Sequence, residues 1–359
     1  MTKGEEPCVG RHISRFLRLF PEMHPTRCLS LILFLAFSCF TLSSFRIAQV
    51  DTVSRQQYLS SSFAAPTRLG NHMFELTSLL GISRTLNRVP IFWIEDEKYR
   101  RMLEQTREIL PGLVEKYTVI EGKIDSGVET RKFPLKARVF DNPSKFEDVT
   151  DEYLHLSGHF YQSWKYFPNS RDEILGYLTR EKKQFRGLPV SNETHFITCV
   201  HTRRGDFKSV GFYQSDGDFV EKAVEFMERR HRNKTHLKLK VVIFGDDSGF
   251  KKSIFLRTSD GRPEDVTPTT KYFVSRNSPV EDLLYSSQHC DSVLISAPGS
   301  TFGWWIGYLS KGNDVFYLDV RTVDDRVFKE GRMKLDDYYP PKWTMLKKTS
   351  EGDVVETSL

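Results

Sequence analysis

The stretch HTRRGDF, His201 to Phe207, sets two adjacent guanidiniums, Arg203 and Arg204, beside His201 and Asp206, directly after the apolar run Phe196-Ile197-Thr198-Cys199-Val200. A guanidinium presents several N–H donors in a planar fork that matches phosphate oxygens, and it stays charged at any pH. The pair therefore has the chemistry of an anion site. Two other readings stand beside it: a surface loop in which Arg203 or Arg204 pairs locally with Asp206, and an adhesion tripeptide, Arg204-Gly205-Asp206. Two further strand ends extend the pattern. KVVIF ends on Gly245-Asp246-Asp247, where a carboxylate could accept the paired edge N–H groups of guanine or bind ribose hydroxyls. SVLIS runs through Ala297-Pro298-Gly299 into Ser300-Thr301-Phe302-Gly303 at a helix start, where unpaired backbone N–H groups and the helix dipole favour a phosphate. Cation, carboxylate and helix terminus together fit a nucleoside diphosphate. Taken singly, each has a structural explanation: Asp246-Asp247 as turn formers or caps, Ser300-Thr301 as an N-cap, and Trp304-Trp305 as core or domain-interface aromatics.

Ligands of open parallel sheets bind outside the carboxyl ends of the strands, so these residues require alternating strands and helices to carry them. The second half supplies the pattern. Strands are expected at Phe196–Val200, Val241–Phe244, Tyr272–Val274, Ser292–Ser296 and Val315–Leu318. Between them, Asp218 to Arg230 reads as an amphipathic helix with Phe219, Val220, Ala223, Val224 and Met227 on one stripe. Pro279 to His289 opens with the capping box Ser278-Pro279-Val280-Glu281, and a third helix runs from about Thr301 to Leu309. In the first half the expected order is strand Ser62 to Ala65, turn Pro66 to Asn71, helix His72 to Asn87, strand Val89 to Ile94 and helix Glu97 to Leu110. Strands at Ala137 to Phe140 and Tyr153 to Leu156 follow, then a helix from Arg171 to Lys183 and a linker, Gly187 to Thr194. The tail after Trp343 reads as frayed. Two Rossmann-like domains in series are the expectation.

The 359 residues, 39% hydrophobic and 28% charged, are those of a globular chain long enough for two domains, and a net charge of +5 leaves no general nucleic-acid footprint. Part of that charge precedes the uncharged run Cys28 to Phe45, which as a helix would span roughly 27 Å, close to the thickness of an early secretory-pathway bilayer. Arginines at 11, 15, 18 and 27 on the amino side, against Arg46 and Arg55 beyond it, place the amino terminus in the cytosol by the inside-positive bias. A type II anchor is therefore expected, over a cleaved signal peptide or a buried helix. The sequons Asn192-Glu193-Thr194 and Asn233-Lys234-Thr235 agree with a lumenal chain. Beyond the anchor only Cys199 and Cys290 remain, as a disulfide or as two buried thiols. No Cys/His spacing suggests zinc.

HTRRGDF, the turn and helix TRLGNHMFELTSLLGISRTLNR, GHFYQSWKYF at 158 to 167, FGDD and SAPGSTFGWWIGYL resemble, in order and spacing, the motifs of the α-1,2-fucosyltransferases, glycosyltransferase family eleven. The resemblance covers the region from Ser62 to about Trp343. It implies a GT-B-like α/β fold of two Rossmann-like domains facing across a cleft, preceded by a single transmembrane helix. It also implies GDP-fucose as donor, a glycan acceptor on glycoprotein or glycolipid, inversion at the anomeric carbon, no required metal or other cofactor, and a Golgi membrane protein with a lumenal catalytic domain. By the same resemblance Arg203 and Arg204 match the family's arginine pair at the donor pyrophosphate, and His201 the histidine beside it. Asp246 or Asp247 matches a guanine or ribose acceptor, Ser300 and Thr301 the phosphate loop, and Arg68, Gly70 and Asn71 the first-domain loop across the cleft. Thr67, His72 and Phe207 depart from the residues common at their positions.

The resulting division is a cytoplasmic tail (1–27), an anchor (28–45), a short stem (46–58), an acceptor domain (59–190), a GDP-fucose-binding domain (191–345) and a tail (346–359). Fixed guanidiniums at the diphosphate would stabilise the charge that builds on departing GDP, while a base takes the acceptor hydroxyl's proton. Asp206, His72 and Glu75 are the candidates for that base. Two other classes remain: a membrane-tethered nucleotide-sugar or glycan-binding relative without catalysis, and a metal-dependent transferase using Asp216-Gly217-Asp218, although aspartates before a helix also cap it.

Overall fold

The structure is a computed structural model, and it describes residues 55–125, 127–181, 185, 187–233, 235–255 and 271–358. The expected anchor, residues 28–45, lies outside the described residues; within them no helix is long and apolar enough to cross a membrane.

Two open sheets carry the fold. The first contains β1 (Tyr58–Ser61), β2 (Val89–Ile94), β3 (Thr118–Glu121), β4 (Glu129–Arg131) and β5 (Tyr153–Leu156), in the order β3-β2-β1-β5-β4 and parallel throughout. The second contains β6 (His195–Thr202), β7 (Lys238–Gly245), β8 (Tyr272–Val274), β9 (Ser292–Ile295), β10 (Asp314–Leu318), β11 (Thr344–Lys348) and β12 (Val354–Thr357). Its order is β12-β11-β10-β9-β6-β7-β8, and only the β11–β12 pair is antiparallel. The α/β, GT-B-like expectation of two Rossmann-like units is met.

Chain order reverses at one place in each sheet. From β6 the chain moves outward through β7 and β8, then returns to lay β9 on the other side of β6; from β1 it moves through β2 and β3, then returns to lay β5 on the other side. At such switch points the loops at the strand carboxyl ends diverge to opposite faces and leave a crevice. HTRRGDF and the 296–301 turn leave β6 and β9, and the TRLGN and GHFYQSW segments follow β1 and β5. All four motifs therefore stand at the switch points.

The five principal helices are α1 (Leu69–Thr85), α2 (Glu97–Ile109), α3 (Gly217–Arg232), α4 (Pro279–His289) and α5 (Thr301–Leu309). Along β6, Val200 belongs to the cluster under α3, with Phe219, Val220, Ala223, Val224 and Met227. Ile197 and Cys199 belong to the opposite cluster, which also takes in Leu283 and Tyr285 of α4, Trp304 and Trp305 of α5, and Met73, Phe74 and Leu76 of α1. That second cluster is continuous between the halves, so the two sheets share one core. Trp304 and Trp305 are fully buried in it, each worth roughly 5 kcal/mol of gross apolar burial. Their indole N–H groups are satisfied by the carbonyls of Tyr338 (2.9 Å) and Gly70 (3.0 Å). Cys199 and Cys290, left open by the sequence, form a disulfide that ties β6 to the end of α4.

Several expectations need correction. The first strand is Tyr58–Ser61, so the sheet begins inside the segment read as stem, and α1 starts at Leu69, taking in part of the expected turn. Residues 137–140 form no strand; Arg138 makes only an isolated bridge to Met333. The helix at Arg171 stops at Gly176. Residues 344–357, expected as frayed tail, add β11 beside β10 and β12 beside β11.

Candidate functional site

Thr202, Gly245 and Ile295 mark the ends of β6, β7 and β9, and their registers bring those ends level. Arg203 is the first residue past β6. Its side chain is 13% exposed, with Nη1 3.0 Å from Asp246 Oδ2 and Nη2 2.6 Å from Asp206 Oδ1, and its guanidinium lies over the Phe207 ring at 5.1 Å. The local pairing with Asp206 is thus real for Arg203. Arg204 is 35% exposed and held differently: Nη1 donates to the Ser215 carbonyl (2.8 Å), the fork stacks on Phe250 (4.5 Å), and Nε is 3.9 Å from Asp247 Oδ2. Arg204 has no carboxylate as close as those on Arg203 and presents more of its fork to solvent.

The aspartates carry structural duties as well. Asp246 accepts the Arg204 backbone N–H on Oδ1 (3.0 Å) and pairs with Arg203 on Oδ2, so both its oxygens hold the RRGD turn. Asp247 caps the helix Ser248–Ser253 by accepting the Phe250 N–H on Oδ1 (2.8 Å), which leaves Oδ2 as its outward oxygen. A carboxyl that sequence reasoning missed shares Lys251 with them: Asp282, in the first turn of α4, is buried, accepts the Ser275 hydroxyl at 2.5 Å and stands near Lys251. Burial pushes its carboxyl up to about 7 against the pull of Ser275 and Lys251. The signal available in sequence was only its place directly after the capping box Ser278-Pro279-Val280-Glu281.

Ser300 caps α5, its Oγ accepting the Gly303 N–H at 3.2 Å, and the N–H groups of Thr301 and Phe302 remain as orphan donors of the helix start. His201 is buried beside this turn with Nε2 3.5 Å from Ser300 Oγ and Nδ1 unpartnered. Burial, then the Arg203 charge, lowers it to about 3, so the imidazole is neutral at physiological pH.

The first half closes on the same turn. Asn71 Oδ1 accepts from Thr301 Oγ1 (3.0 Å) and from Gln162 Nε2 (2.9 Å). Gly70 lies so close that a Cβ there would stand 2.7 Å from the Phe302 nitrogen; glycine keeps that N–H clear. Arg68 reaches Asp206 at 3.4 Å, both side chains being largely exposed. Every donor-side residue expected from sequence is thus brought to this one region.

The three candidate bases separate sharply. His72 is buried, neither ring nitrogen makes a well-formed hydrogen bond, and burial lowers it to about 4. Glu75 is fully buried and its carboxylate accepts the N–H groups of Ala64 (3.0 and 3.1 Å) and Phe160 (2.8 Å). Burial still carries it to about 7 against those bonds. Only Asp206 is exposed at the cleft. Burial, the largest single effect, pushes it up, but the charges of Arg203 and Arg68 and the hydrogen bond from Arg203 together outweigh it and hold Asp206 below the usual carboxylate range. The alternative metal carboxylates are committed elsewhere: Asp216 caps α3 through the Phe219 N–H (2.9 Å) and Asp218 pairs with Lys348. Among the described residues there is no cluster of metal-ligating side chains.

Residues 36–347 match the model of Glycosyl transferase family 11. A Caenorhabditis elegans protein, svh-11, whose name provisionally assigns it galactoside 2-alpha-L-fucosyltransferase activity, is 44% identical over 293 residues, covering 81% of this chain and 79% of that one. A second Caenorhabditis elegans protein, a galactoside 2-alpha-L-fucosyltransferase, is 32% identical over 317 residues, 81% of this chain and 78% of that one. The Mus musculus galactoside alpha-(1,2)-fucosyltransferase 1 is 26% identical over 284 residues, 73% of this chain and 66% of that one. With its motifs gathered at the two switch points and its sequence matched over most of its length, the chain belongs to glycosyl transferase family 11, the family of the α-1,2-fucosyltransferases that those motifs resemble.

Proposed function

We propose that this chain transfers L-fucose from GDP-fucose to the 2-hydroxyl of a galactose in a glycan, with inversion and without a metal. The observation that carries the reading is the convergence of the β6 end, the β7 end and the amino terminus of α5 on one crevice, with a guanidinium pair at its centre. The names of the related chains supply the sugar and the linkage. In the transfer, the acceptor oxygen forms a bond to the fucose anomeric carbon from one face as the bond to the β-phosphate oxygen breaks on the other. Negative charge grows on GDP as it leaves, and Arg204 together with the α5 amino terminus stabilises it in place. The acceptor hydroxyl becomes acidic only as its bond forms, so the weak base Asp206 suffices to take its proton late in the step.

The same reading places the domain in the Golgi lumen behind the anchor at residues 28–45. Two features favour it: the Cys199–Cys290 disulfide suits an oxidising compartment, and both sequon asparagines, Asn192 and Asn233, are exposed. The test is release of GDP from GDP-fucose with a panel of β-galactosides, followed by linkage analysis. Acceptor-dependent release with an α-1,2-linked product is expected; release equal to the acceptor-free control across the panel would leave a binding protein without catalysis.

A further inference from the structure

Arg138 is a buried cation beside the donor turn that the reaction, as derived above, does not use. It is 8% exposed and belongs to the first half, yet it is docked on the second: it bridges Met333, and its carbonyl accepts the Lys334 N–H at 3.0 Å. Its guanidinium carbon lies 4.8 Å from the centre of the Phe212 ring and 5.5 Å from that of Tyr338. One Nη2 donates to the Gly299 carbonyl at 3.4 Å, and Nε is buried without a partner. Among the described residues no carboxylate forms an ion pair with it.

An isolated cation is costly to remove from water, and two ring faces with one carbonyl offset only part of that cost. An anion close by would offset more. The residue that Arg138 holds, Gly299, immediately precedes Ser300, the cap of α5, whose orphan N–H groups are the other feature suited to an anion here. Gly299 is also pressed against the Phe212 ring on which Arg138 stacks, and Tyr339 donates its hydroxyl to the Pro298 carbonyl at 2.6 Å. The turn Pro298-Gly299-Ser300 is therefore gripped by Arg138, Phe212 and Tyr339 together.

We propose that Arg138 is a positioning residue of the donor site: by holding the Gly299 carbonyl it fixes the turn that presents the α5 amino terminus, and its buried charge favours a diphosphate over a monophosphate there. The inference rests on the GDP-fucose reading. Its test is calorimetric titration of GDP and GMP into the wild-type protein, Arg138→Met and Arg138→Lys, with melting temperatures recorded. Arg138→Met is expected to weaken GDP about tenfold or more while GMP changes less than about threefold, because a diphosphate has more charge to lose a partner for; Arg138→Lys falls between. GDP affinity unchanged, or GDP and GMP weakened by the same factor, would overturn the role, since general damage to the fold does not distinguish the two nucleotides. If Arg138→Met does not fold, Arg138→Lys carries the same comparison. A wild-type protein that binds no GDP at all would overturn the donor reading itself, an outcome distinct from the failure of Arg138 alone.

Discussion

Arg203 and Arg204 are neighbours in the chain but not in circumstance. Arg203 is shielded and ion-paired to Asp206 and Asp246, whereas Arg204 keeps its fork largely free of carboxylates. We expect Arg204→Lys, which preserves the charge and loses the fork, to lower kcat about 100-fold. Arg203→Lys should instead cost about 1 kcal/mol of stability, seen as a melting temperature lower by roughly 2–4 °C, with a smaller effect on rate. Steady-state kinetics and thermal melts of the two variants check this, and full activity in Arg204→Lys would contradict its role at the leaving diphosphate. Position after a strand was enough to read these residues from sequence, because the reason for a charge at a strand end is local. Asp246, Arg138 and Asp282 were harder to read: what each does depends on a loop or helix distant in the chain, and neither Arg138 nor Asp282 belongs to a motif that signals it.

At the level of elements, Glu75 links α1 to two loops. It accepts N–H groups from Ala64 after β1 and from Phe160 after β5, and Phe160 and Tyr161 both hold positive φ, 74° and 42°. A bulky residue in that region is strained, so the carboxylate secures a turn that leads directly to Gln162 and Asn71. Glu75 is raised from 4.5 to about 7 by burial. The stabilisation associated with its proton is therefore complete below about pH 4.5 and lost as pH rises through about 7. We expect the wild-type melting temperature to fall between about pH 5 and about pH 8, and Glu75→Gln, which keeps one acceptor oxygen, to flatten that fall. An identical pH slope in the variant would contradict the assignment. The element pattern itself was largely legible where apolar runs or caps mark an element: Val89–Ile94, Tyr272–Val274, Pro279–His289 and Thr301–Leu309 match in full. It failed where the partner decides. Thr118–Glu121 and Glu129–Arg131 are short and mostly exposed, and residues 344–357 become strands because β10 offers an edge to pair with.

For the molecule as a whole, composition and periodicity indicated two Rossmann-like units, but not that one apolar cluster would run between them. That junction comes from Phe74 of α1 packing on Trp304 (4.5 Å) and Trp305 (5.2 Å) of α5, a contact between residues too distant in sequence for any window to pair. Its consequence is functional: Gly70 and Asn71 are set against Thr301 and Phe302 by the same packing that stabilises the fold. The central claim is that this crevice is a guanosine diphosphate site. The most direct measurement is a calorimetric titration of the protein with GDP, GDP-fucose, UDP and CMP. Binding of the two guanine nucleotides at least about tenfold tighter than UDP or CMP is the result expected of a carboxylate accepting the paired N–H groups of guanine; equal affinity for all four, or none for GDP, would contradict it.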